Sequence, residues 1–310
     1  MIHITEEQVR QALPMATAID LVEESFRRLD AGVAVNHPRR RVVLENSAAL
    51  HYMAAGDNGD GILAAKLYVT RPRAGARFLV ALFDAEKALL LATIDANALG
   101  QIRTGAASGV ATRHLARAGA ATLGLLGSGF QAATQLEAVA AVMPLRSVRV
   151  YSRSPQNRTA FAERASRQLN LAVEAVDTPQ RAIEESDIVV TITSAREPVL
   201  EGAWLPRGCH VNAAGSNHAK RRELDTAAVE RSTLIAVDSL EQAKMEAGDL
   251  IVAAGEGCLD WGRVVELSGI VSGRLAGRNA PEDVTLFESQ GLAAEDLAVA
   301  GYVYRQVTGR

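Results

Sequence analysis

A glycine-rich join carries the first chemistry in this chain. Residues 123–135 read Leu-Gly-Leu-Leu-Gly-Ser-Gly-Phe-Gln-Ala-Ala-Thr-Gln, an apolar strand running into G-x-G-x-x-A and then a helix. Gly127 permits the tight turn, Gly129 lets the backbone approach a pyrophosphate, and Ala132 lets helix and strand pack closely. The N–H groups and positive dipole end of that helix face the anion. Gly127, Ser128, Gly129, Phe130 and Gln131 are therefore the expected dinucleotide contacts. A purely structural turn uses the same small residues, but the flanking strand, helix and second strand at Ser147–Tyr151 favour a nucleotide site. At the tip of that second strand a carboxylate usually bonds the ribose hydroxyls of NAD. Here Ser152, Arg153 and Ser154 stand there, with Arg158 one turn on. Nothing repels a 2′-phosphate, so NADP(H) is the preferred cofactor and NAD(H) stays open; the plain alternative is an exposed loop arginine.

Two cations stand in apolar or small-residue surroundings. Lys66 lies in the run Ile62–Val69, where an unpaired ammonium is costly. It either meets a ligand or snorkels its stem to the surface. Arg103 sits among Thr104, Gly105, Ala106 and Ala107, as a charge held in a close-packed site does. The histidines show no metal-ligand spacing, and Cys209 and Cys258 show none either, so no metal is expected. Two thiols without a signal peptide suggest a reducing cytoplasm. A net charge of -3 argues against nucleic acid or anionic membranes as partners. No apolar run reaches the ~20 residues of a membrane helix.

These groups need elements to position them, and 310 residues suffice for two domains. Residues 5–32 have helical periodicity, and Asn36-His-Pro38 reads as a turn. Strand-like runs follow at 41–44, 48–53, 62–69, 78–84 and 88–94, separated by turns such as Arg71–Gly75, as in one antiparallel or mixed sheet. Residues 97–117 read as a helix. From 119 the rhythm becomes strand–helix alternation, with strands at 121–126, 147–151, 172–176, 187–193, 209–213 and 234–237. A final helix at 292–308 is expected to return to the first domain. The fold class is α/β, a Rossmann-type doubly wound parallel sheet over 119–284. A discontinuous α+β substrate-binding and dimerisation domain comprises 1–118 and 285–310.

In this order the segments resemble the ornithine cyclodeaminase/mu-crystallin family over nearly the whole chain. Those that carry the resemblance are Pro38-Arg-Arg-Arg-Val-Val43, Ala65-Lys-Leu-Tyr68, Arg103-Thr-Gly-Ala-Ala107 and Leu126-Gly-Ser-Gly-Phe-Gln-Ala132. With them come Asp187-Ile-Val-Val-Thr-Ile-Thr193, His210-Val-Asn-Ala-Ala-Gly215, Arg222-Glu-Leu-Asp225 and the stretch Phe287–Leu297. The resemblance implies a nicotinamide cofactor, an α-amino or α-imino acid substrate, and a homodimer built through the first domain. It assigns the substrate carboxylate to Arg40, Lys66 and Arg103, with Arg40 as the arginine two residues past the family's proline. Arg39 and Arg41 read as a solvated strand edge. Thr193, Ser194, Ser289 and Gly291 match positions near the nicotinamide, although Thr193 and Ser194 also suit a turn and Ser289–Gly291 a helix start.

One position departs from the cyclodeaminases. Their aspartate, which moves a proton at the substrate nitrogen, is matched here by Asn217. An amide orients but does not act as an acid or base. His218 next to it, or Lys66, is then the expected proton donor. The reading is an NAD(P)H-dependent imine or ketimine reductase, or an amino-acid dehydrogenase. The alternatives are ornithine cyclodeamination to proline and ammonia, or a non-catalytic mu-crystallin-like binding protein.

Overall fold

The computed structural model describes residues 1–71 and 74–309; Pro72 and Arg73 of the expected turn, and Arg310, lie outside the described residues. The chain forms two compact units, Met1–Ala107 with Gly291–Arg310, and Ser108–Gln290.

The first unit begins with β1 (Ile2–Ile4), α1 (Glu6–Ala12) and α2 (Met15–Asp30). A Thr5/Gln8 capping box starts α1, and Pro14 stands as N-cap of α2, so the expected helical stretch is split there. Strands β2 (Ala34–Val43), β3 (Ala49–Asp57), β4 (Ile62–Arg71), β5 (Ala74–Asp84) and β6 (Leu89–Asp95) follow, then α3 (Asn97–Leu115). The described sheet runs β1-β6-β5-β4-β3-β2, antiparallel except for the parallel β1–β6 pair. Asn36-His-Pro38 is strand rather than turn. Pro38 and Arg39 together stand opposite Met53, because the register shifts between His37 and Arg40. Proline cannot donate to the ladder, and a bulge is one of the few places a sheet accepts it.

The second unit contains β7 (Thr122–Leu126), α4 (Ala132–Val142), β8 (Ser147–Tyr151), α5 (Pro155–Leu169), β9 (Ala172–Ala175), α6 (Pro179–Ile183) and β10 (Ile188–Thr191). It continues through β11 (His210–Ala213), α7 (Thr226–Arg231), β12 (Leu234–Val237), α8 (Leu240–Glu246), α9 (Gly248–Gly255), β13 (Val264–Glu266), α10 (Leu267–Val271) and β14 (Thr285–Glu288). The sheet order is β13-β12-β14-β11-β10-β7-β8-β9, parallel throughout the described pairs. This is a Rossmann-type doubly wound sheet, with buried apolar clusters packed around it. The chain reverses its direction of travel between β7 and β10, the switch point where such sheets bind ligands. Helix α11 (Ala293–Thr308) returns to the first unit, contacting α2, β3 and β4.

The unit boundaries differ from those expected, for identifiable reasons. The second half of α3 is bonded into the parallel-sheet unit: Thr112 Oγ accepts from Asn212 Nδ2 at 3.0 Å, and the Leu115 carbonyl accepts from Arg278 Nε at 2.8 Å. Residues 285–288 form a strand between β11 and β12, so they belong to that unit and not to the discontinuous one.

Asp187, just before β10, binds the start of β7. Its carboxylate accepts from the Ala121 and Thr122 N–H groups at 2.8 and 3.0 Å, from Thr122 Oγ at 2.9 Å, and from Arg117. Burial pushes this carboxyl up, but those donors together hold it below the ordinary range. Asp187→Ala leaves them unsatisfied and should cost about 1–3 kcal/mol in denaturant unfolding at neutral pH. The deficit should shrink as pH falls and wild-type Asp187 is itself protonated.

Candidate functional site

Alternation along β4 turns Lys66 inward while Leu67 and Val69 face out. Its Nζ donates to Asp296 Oδ1 at 2.7 Å. Arg103, on α3, donates from Nε to the same oxygen at 3.1 Å and from Nη1 to Glu295 Oε2 at 2.8 Å. Lys66, Arg103, Glu295 and Asp296 are all buried. The two acids occupy the first turn of α11, where the helix dipole favours negative charge. Burial pulls Lys66 down to about 8, with Arg103 and Arg39 adding to the effect and Asp296 opposing it. Burial also disfavours the charges of Arg103 and Asp296, but their mutual attraction raises the arginine and lowers the aspartate, so both stay ionised. Gly291 has φ +79°, and a Cβ there would lie 2.5 Å from Arg103 Nη1. Its place is thus against the guanidinium, in the first unit.

The bulge sets where Arg39 and Arg40 stand. Doubling Pro38 and Arg39 opposite Met53 reverses the in–out parity, so Arg39 is buried and Arg40 is exposed on the other face. Arg39 is near enough to lower the Lys66 pKa. Among the described residues of this unit Arg39, Lys66 and Arg103 are the buried cations, alongside the buried Glu295 and Asp296. His51 adds no charge: it stacks on Tyr68 at 4.4 Å, and burial with Arg41 and Arg39 takes it down to about 4.

In the second unit Gly127 has φ +124°, and a Cβ there would lie 2.4 Å from the Ile192 carbonyl oxygen. Ser128 Oγ donates to Ser152 Oγ at 2.8 Å, joining the glycine loop to the end of β8. A Cβ on Gly129 would meet nothing within 4 Å, and Gln131, the N-cap of α4, makes no side-chain bond to the first turn. An open backbone and an uncapped helix start fit a pyrophosphate. Phe130 is exposed. Arg153 is exposed, and Ser154 caps α5 by accepting from Asn157 N–H at 3.2 Å. Arg158 differs from expectation: it is buried and donates to Asp177 at 2.7 Å and to the Ser152 carbonyl at 3.0 Å. It braces the β8 tip from behind.

The remaining expected residues follow the strand ends. Thr193 Oγ1 accepts from Ala195 N–H at 3.1 Å, and Ser194 is exposed. Asn217 and His218 are exposed on the loop after β11, where His218 Nδ1 accepts from Lys220 N–H at 3.1 Å. That bond places the proton of a neutral imidazole on Nε2. Ser289 is buried, its N–H donating to the Ala213 carbonyl at 2.9 Å. The loops after β10 and β11 are tied by Glu223, whose carboxylate accepts from Thr193 N–H at 2.5 Å, Gly215 N–H at 2.8 Å and Thr191 Oγ at 2.9 Å. Among the described residues no cluster of His, Cys, Asp and Glu is placed to hold a metal ion, and no helix is long and apolar enough to cross a membrane.

The model of the ornithine cyclodeaminase/mu-crystallin family matches residues 2–310. The chain belongs to this family. It is 40% identical over 233 residues to the Delta(1)-pyrroline-2-carboxylate reductase of Bacillus cereus, covering 75% of this chain and 71% of that one. The structure of the Thermococcus litoralis reductase of the same name, in complex with NADH and L-proline, superposes with a TM-score of 0.96 at 34% identity. That match covers 100% of this chain and 98% of the other. An archaeal alanine dehydrogenase dimer with bound NAD is similar at 30% identity and TM-score 0.93, covering 99% and 96% of the two chains.

Arg39, expected at a solvated strand edge, is buried instead, and the roles of Glu223, Glu295 and Asp296 have no clear signal in the sequence. Pro38 was the signal for the bulge. Glu295 and Asp296 at a helix start read equally well as ordinary dipole partners. Burial pushes Glu223 up to about 7 despite its donors, with the charge of Asp249 adding to the push. The folded state therefore favours its protonated form, and stability should fall as pH rises from the ordinary glutamate value of 4.5 through about 7. Glu223→Gln should flatten that part of the profile of melting temperature against pH.

Proposed function

We propose that this chain is an NAD(P)H-dependent reductase of α-imino acids, with the substrate carboxylate held by Arg39, Lys66 and Arg103. The buried cation cluster carries the reading. Three buried cations beside two buried carboxylates suit the addition of one monoanion, and planar guanidinium forks bind a carboxylate bidentately. Gly127, Ser128, Gly129 and the start of α4 would hold the pyrophosphate of the dinucleotide. When bound, the reduced nicotinamide supplies hydride to the C=N carbon. Lys66, held charged by Asp296 yet brought down to about 8, is suited to donate a proton near neutral pH. His218 is the second candidate donor. Asn217 disfavours complete cyclodeamination, because an amide cannot shuttle the protons that loss of ammonia requires.

The decisive assay is cofactor oxidation with cyclic α-imino acids and with 2-oxo acids plus ammonia, run beside ornithine with NAD⁺. Turnover of an imino acid is expected. Activity with ornithine and NAD⁺ alone would overturn the ranking, and tight dinucleotide binding without any turnover would favour a binding protein. NADP(H) is the preferred cofactor, through Ser152, Arg153 and Ser154. Arg153→Ala should raise KM for NADPH about tenfold and leave that for NADH nearly unchanged.

The chain forms a homodimer through the outer sheet face of the first unit. Val42, Leu50 and Val69 make one exposed cross-strand row, and Tyr52 and Leu67 with Arg40 make the next. Apolar rows of this extent on one face mark an interaction surface. Leu67→Glu should give a monomer by analytical ultracentrifugation where the wild type sediments as a dimer. Two unpaired thiols, Cys209 and Cys258, suit a reducing cytoplasm.

A further inference from the structure

We propose that Asp296 binds the substrate nitrogen, its Oδ2 accepting a hydrogen bond from the N–H of the protonated imine and then of the product amine. The inference rests on the reading of Arg39, Lys66 and Arg103 as a carboxylate site. Asp296 is 1% exposed, and its two oxygens differ. Oδ1 accepts from both Lys66 and Arg103, whereas Oδ2 is buried and accepts from no described residue. Leaving a buried carboxylate oxygen without a donor is costly, and a ligand N–H removes that cost.

The chemistry of an α-imino acid matches this placement. Its carboxylate and its nitrogen are attached to neighbouring carbons, so a site that grips one must accommodate the other. Asp296 is bonded to two of the three cations assigned to the carboxylate, which puts a fixed negative charge in that same network. A carboxylate facing the nitrogen stabilises the iminium form, the form that accepts hydride most readily. The role is binding and electrostatic, so Asp296 gains and loses no proton. It also supplies a negatively charged acceptor for the nitrogen in a chain whose matched loop position is the neutral amide Asn217.

The test compares two ligands of one shape, L-proline and cyclopentanecarboxylate, titrated by calorimetry into the full-length protein with cofactor present. Wild type should bind both, and proline more tightly. Asp296→Asn should weaken proline about 10–100-fold and change cyclopentanecarboxylate by less than about threefold. A parallel loss of both ligands in the variant would assign Asp296 to shaping the cations and overturn the proposal. So would wild-type protein that binds the nitrogen-free acid as tightly as proline, a result that needs no folded variant. If the wild type binds neither acid, the carboxylate-site reading fails and this inference fails with it.

Discussion

The ammonium of Lys66 and the guanidinium of Arg103 are kept from water against one shared carboxylate oxygen, and the local structure of the first unit answers to that arrangement. Desolvating such charges costs several kcal/mol per ion, and well-packed apolar residues in their place are often neutral or stabilising. A buried ion cluster is therefore poor evidence of a stability device and better evidence of a task that needs the charges. The surrounding features serve it. Strand parity turns Lys66 inward, the bulge adds Arg39, the start of α11 supplies Glu295 and Asp296, and Gly291 leaves room for the guanidinium.

The second unit meets a different constraint. A parallel sheet buried on both faces leaves its polar work to the loops at the strand ends. Side chains help to tie those loops. Ser128 and Ser152 join the glycine loop to the β8 tip, and Glu223 joins the loops after β10 and β11. Glu223 receives these bonds at the expense of burying a carboxyl near Asp249 and Glu288, and all three are raised by burial. As with Lys66, a costly buried charge marks the place where geometry has to be held.

Chemistry separates reductase from cyclodeaminase within this family, and here it turns on where the carboxylates are. The loop after β11 carries Asn217, an amide, and His218. The carboxylate closest to the cations instead comes from α11, distant in sequence and bonded to Lys66 across 230 residues of chain. Reduction of a preformed imine asks less proton transfer of the protein than amine oxidation, deamination and ring closure in sequence.

Much of this was legible in the residues. The strand–glycine–helix join at 123–135, the strand–helix alternation after it and the Lys66 anomaly within Ile62–Val69 are local signals, and local periodicity and turn chemistry decide them. Strands β1 and β13, of three residues each, fell below that signal because so few residues give no period to read. Tertiary structure alone decided the rest. It buried Arg39 and exposed Arg40 because a bulge changes the face of every residue beyond it. It turned Arg158 into a brace through Asp177, and it brought Asp296 to Lys66 and Arg103. Spacing along the chain is silent on such pairings, since the partner of a buried charge is whichever opposite charge the packing delivers.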